Sequence, residues 1–293
     1  MSRRPLRKIA SMLGVTLAIL GLPLASGAGA QAPTTDADTP ALSVVTLNLW
    51  HDKGDWPRRE VQIVAALQAL RPDVIALQEV FQHEGLPNQA QTIADALGYE
   101  VYFVSTDPVG KPQRYGNALL TRHRILERES KALQPLDDFR TAAHLRIAIG
   151  GRAFDVYATH LHHTGEGGAI RERQLRDLRE FIAQTSDGAP VLIAGDFNAG
   201  VSQPEMGLLG MDYVDSYGSL HPDAVAGGHT TLNPAYFKTG DRIDHVFAQR
   251  GRFTVEQARI ILDHSDANGV WPSDHFGVQV SLRMTAPVRV IEP

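Results

Sequence analysis

Acidic side chains recur at the ends of short apolar segments in this chain of 293 residues. Four carboxylates lie within or directly beside sequence typical of buried β-strands: Glu79, Asp196, Asp244 and Asp274. A carboxylate in such a place costs free energy unless a partner compensates its charge. One divalent cation shared by several carboxylates would provide that compensation, and oxygen ligands suit Mg²⁺ or Mn²⁺. The sequence therefore predicts a cleft where these side chains converge on a metal ion.

Amide and imidazole side chains occupy similar positions. Asn48 lies in Thr-Leu-Asn-Leu-Trp, Asn198 ends Gly-Asp-Phe-Asn, His160 closes Tyr-Ala-Thr-His-Leu and His275 ends Ser-Asp-His. Each of them alone has an ordinary structural explanation, because asparagine often terminates a strand or caps a turn and an isolated histidine is often simply packed. Together with the four carboxylates they form a combination that is far more informative than any member.

Composition excludes several other chemistries. The chain has no cysteine, which rules out disulfides, zinc–thiolate and iron–sulfur sites, and a cysteine nucleophile. A Gly-x-Ser-x-Gly nucleophile motif is also absent. Hydrophobic residues make up 43% of the chain, enough for a packed core. Any metal ion must be held by oxygen or imidazole ligands.

The first 30 residues have the layout of a signal peptide. A basic start with Arg3, Arg4, Arg7 and Lys8 precedes an apolar stretch and the small residues Ala-Gly-Ala. Export to the periplasm or out of the cell, with cleavage before Gln31, is the prediction, and a membrane anchor is the alternative. Residues 31–41 are small and polar and are predicted to form a flexible leader.

Removal of residues 1–30 makes the chain more acidic. That segment carries four of the 28 Lys and Arg and no acidic residue, so the remainder has 24 basic against 33 acidic residues, a formal net charge of −9. Proteins that bind nucleic acid non-specifically usually carry a net positive charge. The charge therefore weighs mildly against a nucleic-acid substrate.

Strand-like and helix-like segments alternate from residue 42 to 284, which we interpret as one domain, followed by a tail at 285–293. Glycines 150 and 151 lie between two alternating segments and predict a hairpin. Several predicted strands follow one another without a helix between them, so a purely parallel sheet is not expected. The predicted fold is α/β, with two packed mixed β-sheets flanked by helices. The predicted strands are 43–50, 74–80, 99–104, 117–121, 142–149, 153–160, 191–194, 243–248, 255–262 and 276–282, and the predicted helices are 57–71, 89–97 and 170–182.

The motifs, taken in order, resemble those of the endonuclease/exonuclease/phosphatase superfamily, of which deoxyribonuclease I is a member. The resemblance spans roughly residues 43–283 and rests on Leu-Asn-Leu-Trp, Leu-Gln-Glu-Val, Gly-Asn-Ala-Leu-Leu-Thr, Thr-His-Leu, Gly-Asp-Phe-Asn, Arg-Ile-Asp-His and Ser-Asp-His. Each motif is weak alone, and their order makes the resemblance specific. It implies a four-layer deoxyribonuclease I-like sandwich and a metal-dependent phosphoric ester hydrolase.

The resemblance also implies roles for individual residues. Glu79 would be the principal ligand of Mg²⁺ or Mn²⁺, with Asn48 and Asp274 at the same ion. Asp196 would orient or help to deprotonate the attacking water, and Asn198 would hold a phosphate oxygen. Residues two apart on an extended segment lie on the same side, as these two roles require.

The remaining roles belong to histidines and to the residues around the cleft. His275 would lie nearest the scissile phosphate, with Asp244 fixing its tautomer and stabilising its charged form. His160 would contact the phosphate or protonate the leaving oxygen. Residues expected to contact or support the substrate are Asn117, Tyr115 and Arg114.

Neighbouring residues receive simpler interpretations. His162 and His163 are predicted to line the cleft or lie in a solvated loop, with a zinc site as the alternative. His245 follows Asp244 on a strand and should face the opposite way, either packed or outward. The arginines of the predicted helix 170–182, beginning with Arg171, are expected to form a solvated face.

The sequence leaves the substrate open. A secreted nuclease, a sphingomyelinase-like lipid phosphodiesterase, a hydrolase of small soluble phosphate esters and a non-catalytic phosphate-binding module all remain as hypotheses. A lipid enzyme should expose an apolar loop, for which residues 50–56 and 233–238 are candidates. The predicted form is a monomer.

Overall fold

The computed structural model describes residues 41–285. The predicted signal peptide, residues 31–40 of the leader and residues 286–293 of the tail lie outside the described residues. None of the helices between residues 41 and 285 has the length and hydropathy of a membrane span.

Two six-stranded sheets form the framework, and each mixes parallel and antiparallel pairs. In the first sheet the order is β11-β12-β1-β2-β4-β3, and in the second it is β5-β6-β7-β8-β10-β9. The first sheet contains β1 (Ala41–Asn48), β2 (Val74–Gln82), β3 (Glu100–Val104), β4 (Arg114–Thr121), β11 (Phe253–Ile261) and β12 (Gly277–Met284). The second contains β5 (Arg124–Ala132), β6 (Thr141–Ile149), β7 (Arg152–His160), β8 (Val191–Asp196), β9 (Tyr213–Asp215) and β10 (Asp244–Gln249).

Helices cover the outer faces of both sheets. The helices are α1 (Trp56–Leu70), α2 (Gln89–Leu97), α3 (Gly168–Thr185), α4 (Gly207–Gly210) and α5 (Ser216–Leu220). One apolar cluster joins the facing sides of the two sheets, including Val44, Leu145 and Val280. A second cluster lies beneath α3 and a third beneath α1 and α2. This layering confirms the predicted fold of two packed mixed sheets flanked by helices.

Local sequence explains where the first two helices begin and end. The Asp55 side chain accepts a hydrogen bond from the Arg58 amide and caps α1, which ends before Pro72. The Asn88 side chain caps α2 in the same way, and Gly98, at φ +70°, ends it in the left-handed conformation. The boundaries predicted for these helices agree with the structure to within a residue.

Strand β5 and the segment from 204 to 220 were not predicted. β5 has the sequence RILERESKA and forms an edge of the second sheet, where most of its side chains are exposed. An edge strand with charged side chains lacks the apolar pattern by which buried strands are recognised. The segment 204–220 holds elements of only three to five residues, too short for a periodic signal.

The pairing of strands brings the predicted site together. β1 and β2 are parallel neighbours in one sheet, and β7 and β8 are parallel neighbours in the other. His160 is paired with Asp196, and Asp196 with Asp244 on the antiparallel side. The carboxyl ends of parallel neighbouring strands lie at the same end of a sheet. One end of the sandwich therefore carries Asn48 from the first sheet and His160 and Asp196 from the second, and a hydrogen bond joins Asn48 to Asp196.

Candidate active site

Asp196 occupies the centre of the cluster. Its Oδ2 accepts a hydrogen bond from Asn48 Nδ2 (3.0 Å) and lies 3.5 Å from His160 Nε2. Its Oδ1 accepts a hydrogen bond from the Asn198 backbone amide (2.9 Å). Burial, followed by the nearby charge of Asp244, raises the pKa of Asp196 to about 7. A carboxylate with such a pKa is matched to accepting a proton from water near neutral pH.

His275 and Asp244 form the predicted pair. His275 Nδ1 donates to Asp244 Oδ2 at 2.9 Å and lies 3.9 Å from Asp196 Oδ2. Burial alone would lower the pKa of His275, but the charge and hydrogen bond of Asp244 raise it to about 10. The ring of Phe237 packs edge-on against the imidazole, with centroids 5.8 Å apart. His275 is therefore a fixed cation over the physiological pH range.

His160 differs in charge from His275. Burial, and then the positive charge of Arg140, lower the pKa of His160 well below its ordinary value. Nε2 of His160 faces Asp196, so we assign the ring proton to Nε2. In this tautomer Nδ1 accepts a hydrogen bond from the Tyr115 hydroxyl at 3.3 Å. A neutral imidazole donates a hydrogen bond but is a weak acid, so the lowered pKa favours phosphate contact over protonation of a leaving oxygen.

Glu79 lies at an irregularity in β2. The pairing of β2 with β4 shifts register between Leu77 and Val80, and Glu79 has a φ of +53°. Bulges of this kind redirect a side chain out of the regular alternation. Burial would raise the pKa of Glu79, but the hydrogen bonds from His51 and Asn48 lower it to about 2. Glu79 is thus ionised across the whole physiological range.

A serine links Asp274 to the end of β1. Ser273 Oγ donates to the Asn48 carbonyl (2.7 Å) and lies 3.3 Å from Asp274 Oδ1, which ties the end of β1 to the Ser-Asp-His motif. Burial raises the pKa of Asp274 to about 6, and the negative charge of Glu79 adds to this rise. Repulsion between these two half-buried carboxylates would be relieved by a cation bound beside them.

The donor set fits a divalent cation beside Glu79. Among the described residues, the ligand atoms of Asp196, Asp244 and His275 also lie within 4.8 Å of one another, and Asp244 Oδ1 is buried without a hydrogen bond. In that second group the imidazolium of His275 already supplies a positive charge. Glu79 contacts the partly exposed imidazole of His51 at 3.0 Å, and Asp274 lies 3.3 Å from Ser273 Oγ, so carboxylate oxygens for a cation are also available at the predicted position beside Glu79.

Arg114 and Asn117, predicted to contact the substrate or support the cleft, differ in where the structure places them. Arg114 donates from Nε to the Asp107 carbonyl at 3.3 Å and stacks over the Phe103 ring, on the opposite face of β4 from Tyr115. The structure therefore does not bring Arg114 to the cleft, and that prediction is wrong. Asn117 is buried and donates to Thr141 on the other sheet (3.1 Å), which is a supporting position.

Arg140 lies at the cleft beside His160, although no sequence motif indicates this residue. It precedes β6, its side chain is 11% exposed, and its Nε is buried with no hydrogen bond to the described residues. Nη2 donates to His163 Nδ1 at 3.4 Å, and Nε lies 3.7 Å from Asp138 Oδ2. An incompletely paired buried arginine beside His160 is suited to bind an anion. The loop 133–140 carries no motif, so only the tertiary structure reveals this residue.

The neighbouring residues form supporting contacts. His162 is bound to Asp138 (2.8 Å) and Thr164, and it is not part of the three-ligand group found among the described residues. His245 is buried and packed, as one of the two predicted alternatives, and contacts the Ala199 carbonyl. The prediction of a solvated Arg171 is wrong. Its side chain is buried, pairs with Glu205 and holds the loop that follows His160.

The chain is similar to known proteins along most of its length. The sequence model of the endonuclease/exonuclease/phosphatase family matches residues 45–275. Mouse tyrosyl-DNA phosphodiesterase 2 is 26% identical over 263 residues, covering 84% of this chain and 67% of that protein. Drosophila melanogaster nocturnin is 27% identical over 283 residues, covering 79% of this chain, which spans only 42% of nocturnin.

Solved structures share the fold. The human nocturnin catalytic domain with a bound sulfate anion superimposes with a TM-score of 0.70 and 21% identity, covering 84% of this chain and 94% of that one. Tyrosyl-DNA phosphodiesterase 2 of D. rerio, in complex with a single-strand DNA product, also gives a TM-score of 0.70, with 20% identity and coverage of 83% and 98%. At these identities the likeness concerns the fold alone.

Proposed function

The chain belongs to the endonuclease/exonuclease/phosphatase family, and from this premise we propose that it is a divalent-metal-dependent hydrolase of phosphodiesters. The observation that carries the proposal is the joining of three groups at one end of the sandwich. These are a carboxylate with a pKa near neutrality (Asp196), a buried imidazolium paired with Asp244 (His275) and an ionised carboxylate (Glu79). They correspond to a proton acceptor, a charge-stabilising cation and a metal ligand.

The proposed reaction uses these groups in one displacement. Asp196 takes a proton from the attacking water as the water oxygen bonds to phosphorus and the ester P–O bond breaks. The leaving oxygen departs with the electron pair of that bond and takes a proton from solvent water. His275, held by Asp244, offsets the negative charge that builds on the phosphoryl oxygens. Asn198 and Arg140 bind the non-bridging oxygens. A Mg²⁺ or Mn²⁺ ion held by Glu79, with Asn48 and Asp274 beside it, would supply Lewis-acid stabilisation of the same charge.

Nucleic acid is the substrate class that the comparisons favour. The relatives include a tyrosyl-DNA phosphodiesterase, and one solved relative holds a single-strand DNA product. The net charge of −9 without residues 1–30 opposes binding along many phosphates of a duplex. We therefore propose a short or single-stranded nucleic acid, contacted at few phosphates, as the preferred substrate.

An exposed apolar loop supports a lipid phosphodiester as a second candidate. Leu136 is 55% and Phe139 is 65% exposed, and both lie in the loop that places Arg140 in the cleft. In the candidate loops 50–56 and 233–238, Trp50 packs against the Tyr236 ring at 4.7 Å, and Tyr236 is 45% exposed. Apolar side chains at the mouth of a site are typical of enzymes that work at a membrane surface.

A substrate panel tests the proposal. Protein beginning at Gln31 would be assayed with Mg²⁺, Mn²⁺ or EDTA on bis-p-nitrophenyl phosphate, single-stranded and duplex DNA, RNA and sphingomyelin. We expect hydrolysis that EDTA abolishes, with single-stranded nucleic acid preferred. Turnover of none of these by folded protein would contradict the proposal and favour a binding module. Export remains part of the proposal, and N-terminal sequencing of protein recovered outside the cytoplasm would test it.

Arg140 provides a specific prediction. Arg140→Gln is expected to lower kcat/KM by about 10- to 100-fold, because a charged hydrogen bond to phosphate contributes about 1.5–3 kcal/mol. Steady-state kinetics on the best substrate of the panel would measure the loss. Arg114→Gln is the matched control, since Arg114 lies on the other face of β4 and should leave kcat/KM unchanged. Equal losses in the two variants would remove Arg140 from the phosphate site.

A further inference from the structure

The segment after β1 holds His51 in an unusual backbone conformation. Trp50 and His51 have φ angles of +56° and +48°, in the left-handed region that residues with a Cβ seldom adopt. The His51 carbonyl accepts hydrogen bonds from Gln89 Nε2 (2.8 Å) and from Nη1 of the buried Arg59 (3.3 Å). Backbone strain that buried side chains maintain in this way is concentrated at functional sites.

Aromatic neighbours fix the direction of the His51 ring. The imidazole stacks on Tyr115, with centroids 4.8 Å apart and planes 21° apart, and meets Phe81 edge-on at 5.5 Å. In this orientation Nε2 lies 3.0 Å from Glu79 Oε2. The side chain is 32% exposed, so the imidazole reaches both the carboxylate and the solvent.

We propose that His51 Nε2 is a ligand of the divalent cation beside Glu79, which makes the centre a mixed nitrogen–oxygen site. This inference rests on the metal dependence of the proposed function. Two ligands at adjacent corners of an octahedral cation with bonds of about 2.1 Å lie about 3.0 Å apart. The separation between His51 Nε2 and Glu79 Oε2 equals this value. Without a cation, a hydrogen bond joins the same two atoms.

An imidazole ligand changes which metal the centre prefers. Sites with only oxygen ligands suit Mg²⁺. An imidazole nitrogen strengthens the binding of transition metals, and the affinity increases from Mn²⁺ to Fe²⁺ to Co²⁺. To ligate through Nε2, His51 carries its proton on Nδ1, and the partly exposed ring allows Nδ1 to contact water. The structure therefore points to a centre that selects Mn²⁺ over Mg²⁺ more strongly than Glu79, Asn48 and Asp274 would alone.

Pulsed EPR of the Mn²⁺-loaded protein tests this assignment directly. We expect a hyperfine coupling between Mn²⁺ and the nitrogen of one bound imidazole. This coupling should change from a ¹⁴N to a ¹⁵N pattern when the protein is labelled with ¹⁵N-histidine. The coupling should vanish in His51→Gln. His83→Gln is the matched control, because His83 packs against the same Phe81 ring but contacts Asp52 instead of Glu79.

Metal titrations give a second readout. His51→Gln should weaken Mn²⁺ binding by about tenfold and Mg²⁺ binding by less than about threefold, since only the transition metal gains from imidazole. Mn²⁺ bound to the wild-type protein without nitrogen coupling, or with coupling that persists in His51→Gln, would overturn the His51 assignment and leave the proposed function standing. A folded wild-type protein that binds no Mn²⁺ would overturn both.

Discussion

Replacement of His275 by alanine is expected to lower kcat by about 10²–10⁴, the range that a positioned acid–base or charge-stabilising group supplies. The imidazolium is held by Asp244 at 2.9 Å. It lies 3.9 Å from Asp196 Oδ2. Its loss removes a positive charge that offsets the developing charge on phosphate, whereas KM should change little. Steady-state kinetics on the best substrate of the panel would separate the two parameters.

Two further variants test whether the effect is specific to the pair of His275 and Asp244. His123→Ala is a control at the opposite end of β2, where His123 pairs with Asp73, and it should keep its kcat. Asp244→Asn should lose part of the activity and shift the alkaline limb of the pH–rate profile to lower pH, because the charge of Asp244 raises the pKa of His275. An unchanged profile in Asp244→Asn, or full kcat in His275→Ala, would exclude the proposed pair from catalysis.

Replacement of Asp196 by asparagine is the second large effect, with an expected loss in kcat of about 10²–10⁴ because the proton acceptor is removed. Asparagine keeps the size of the side chain, so the contacts with Asn48 and the Asn198 amide can be retained in part. Asp155→Asn is a suitable control, since Asp155 is also a fully buried acid but pairs with His144 and Arg146 away from the cleft. That control is expected to lose stability rather than turnover per folded molecule.

The pH dependence follows from the two pKa shifts. Asp196 must be deprotonated to accept a proton, so the rate should rise with pH through its pKa of about 7. His275 must be protonated, so the rate should fall as pH rises through about 10. A bound cation stabilises the ionised carboxylate and should move the acid limb to lower pH. An acid limb that survives unchanged in Asp196→Asn would assign the limb to another group, such as Asp274, and would contradict the role of Asp196.

Sequence alone determined the framework and the residues at its strand ends. The apolar segments around Asn48, Glu79, His160, Asp196 and Asp244 are buried strands, and a buried strand is recognised from its composition over a few residues. Parallel pairing of neighbouring strands then places their carboxyl ends at one edge. Local patterns predicted the strands, and the order of the motifs, together with the need to compensate several carboxylates, predicted that these side chains meet.

Only the tertiary structure decided the charge states and the loop residues. His160 and His275 each lie in a short motif next to a strand, and the motifs do not distinguish their charges. Burial beside Arg140 lowers the pKa of His160, whereas Asp244 raises the pKa of His275. The sequence did not indicate Arg140 or His51 as site residues. The conformation of the loop that holds His51 depends on contacts from residues distant in the chain, such as Arg59 and Gln89. Strand patterns are local and periodic, whereas the electrostatic potential at a side chain sums over residues far apart in the chain.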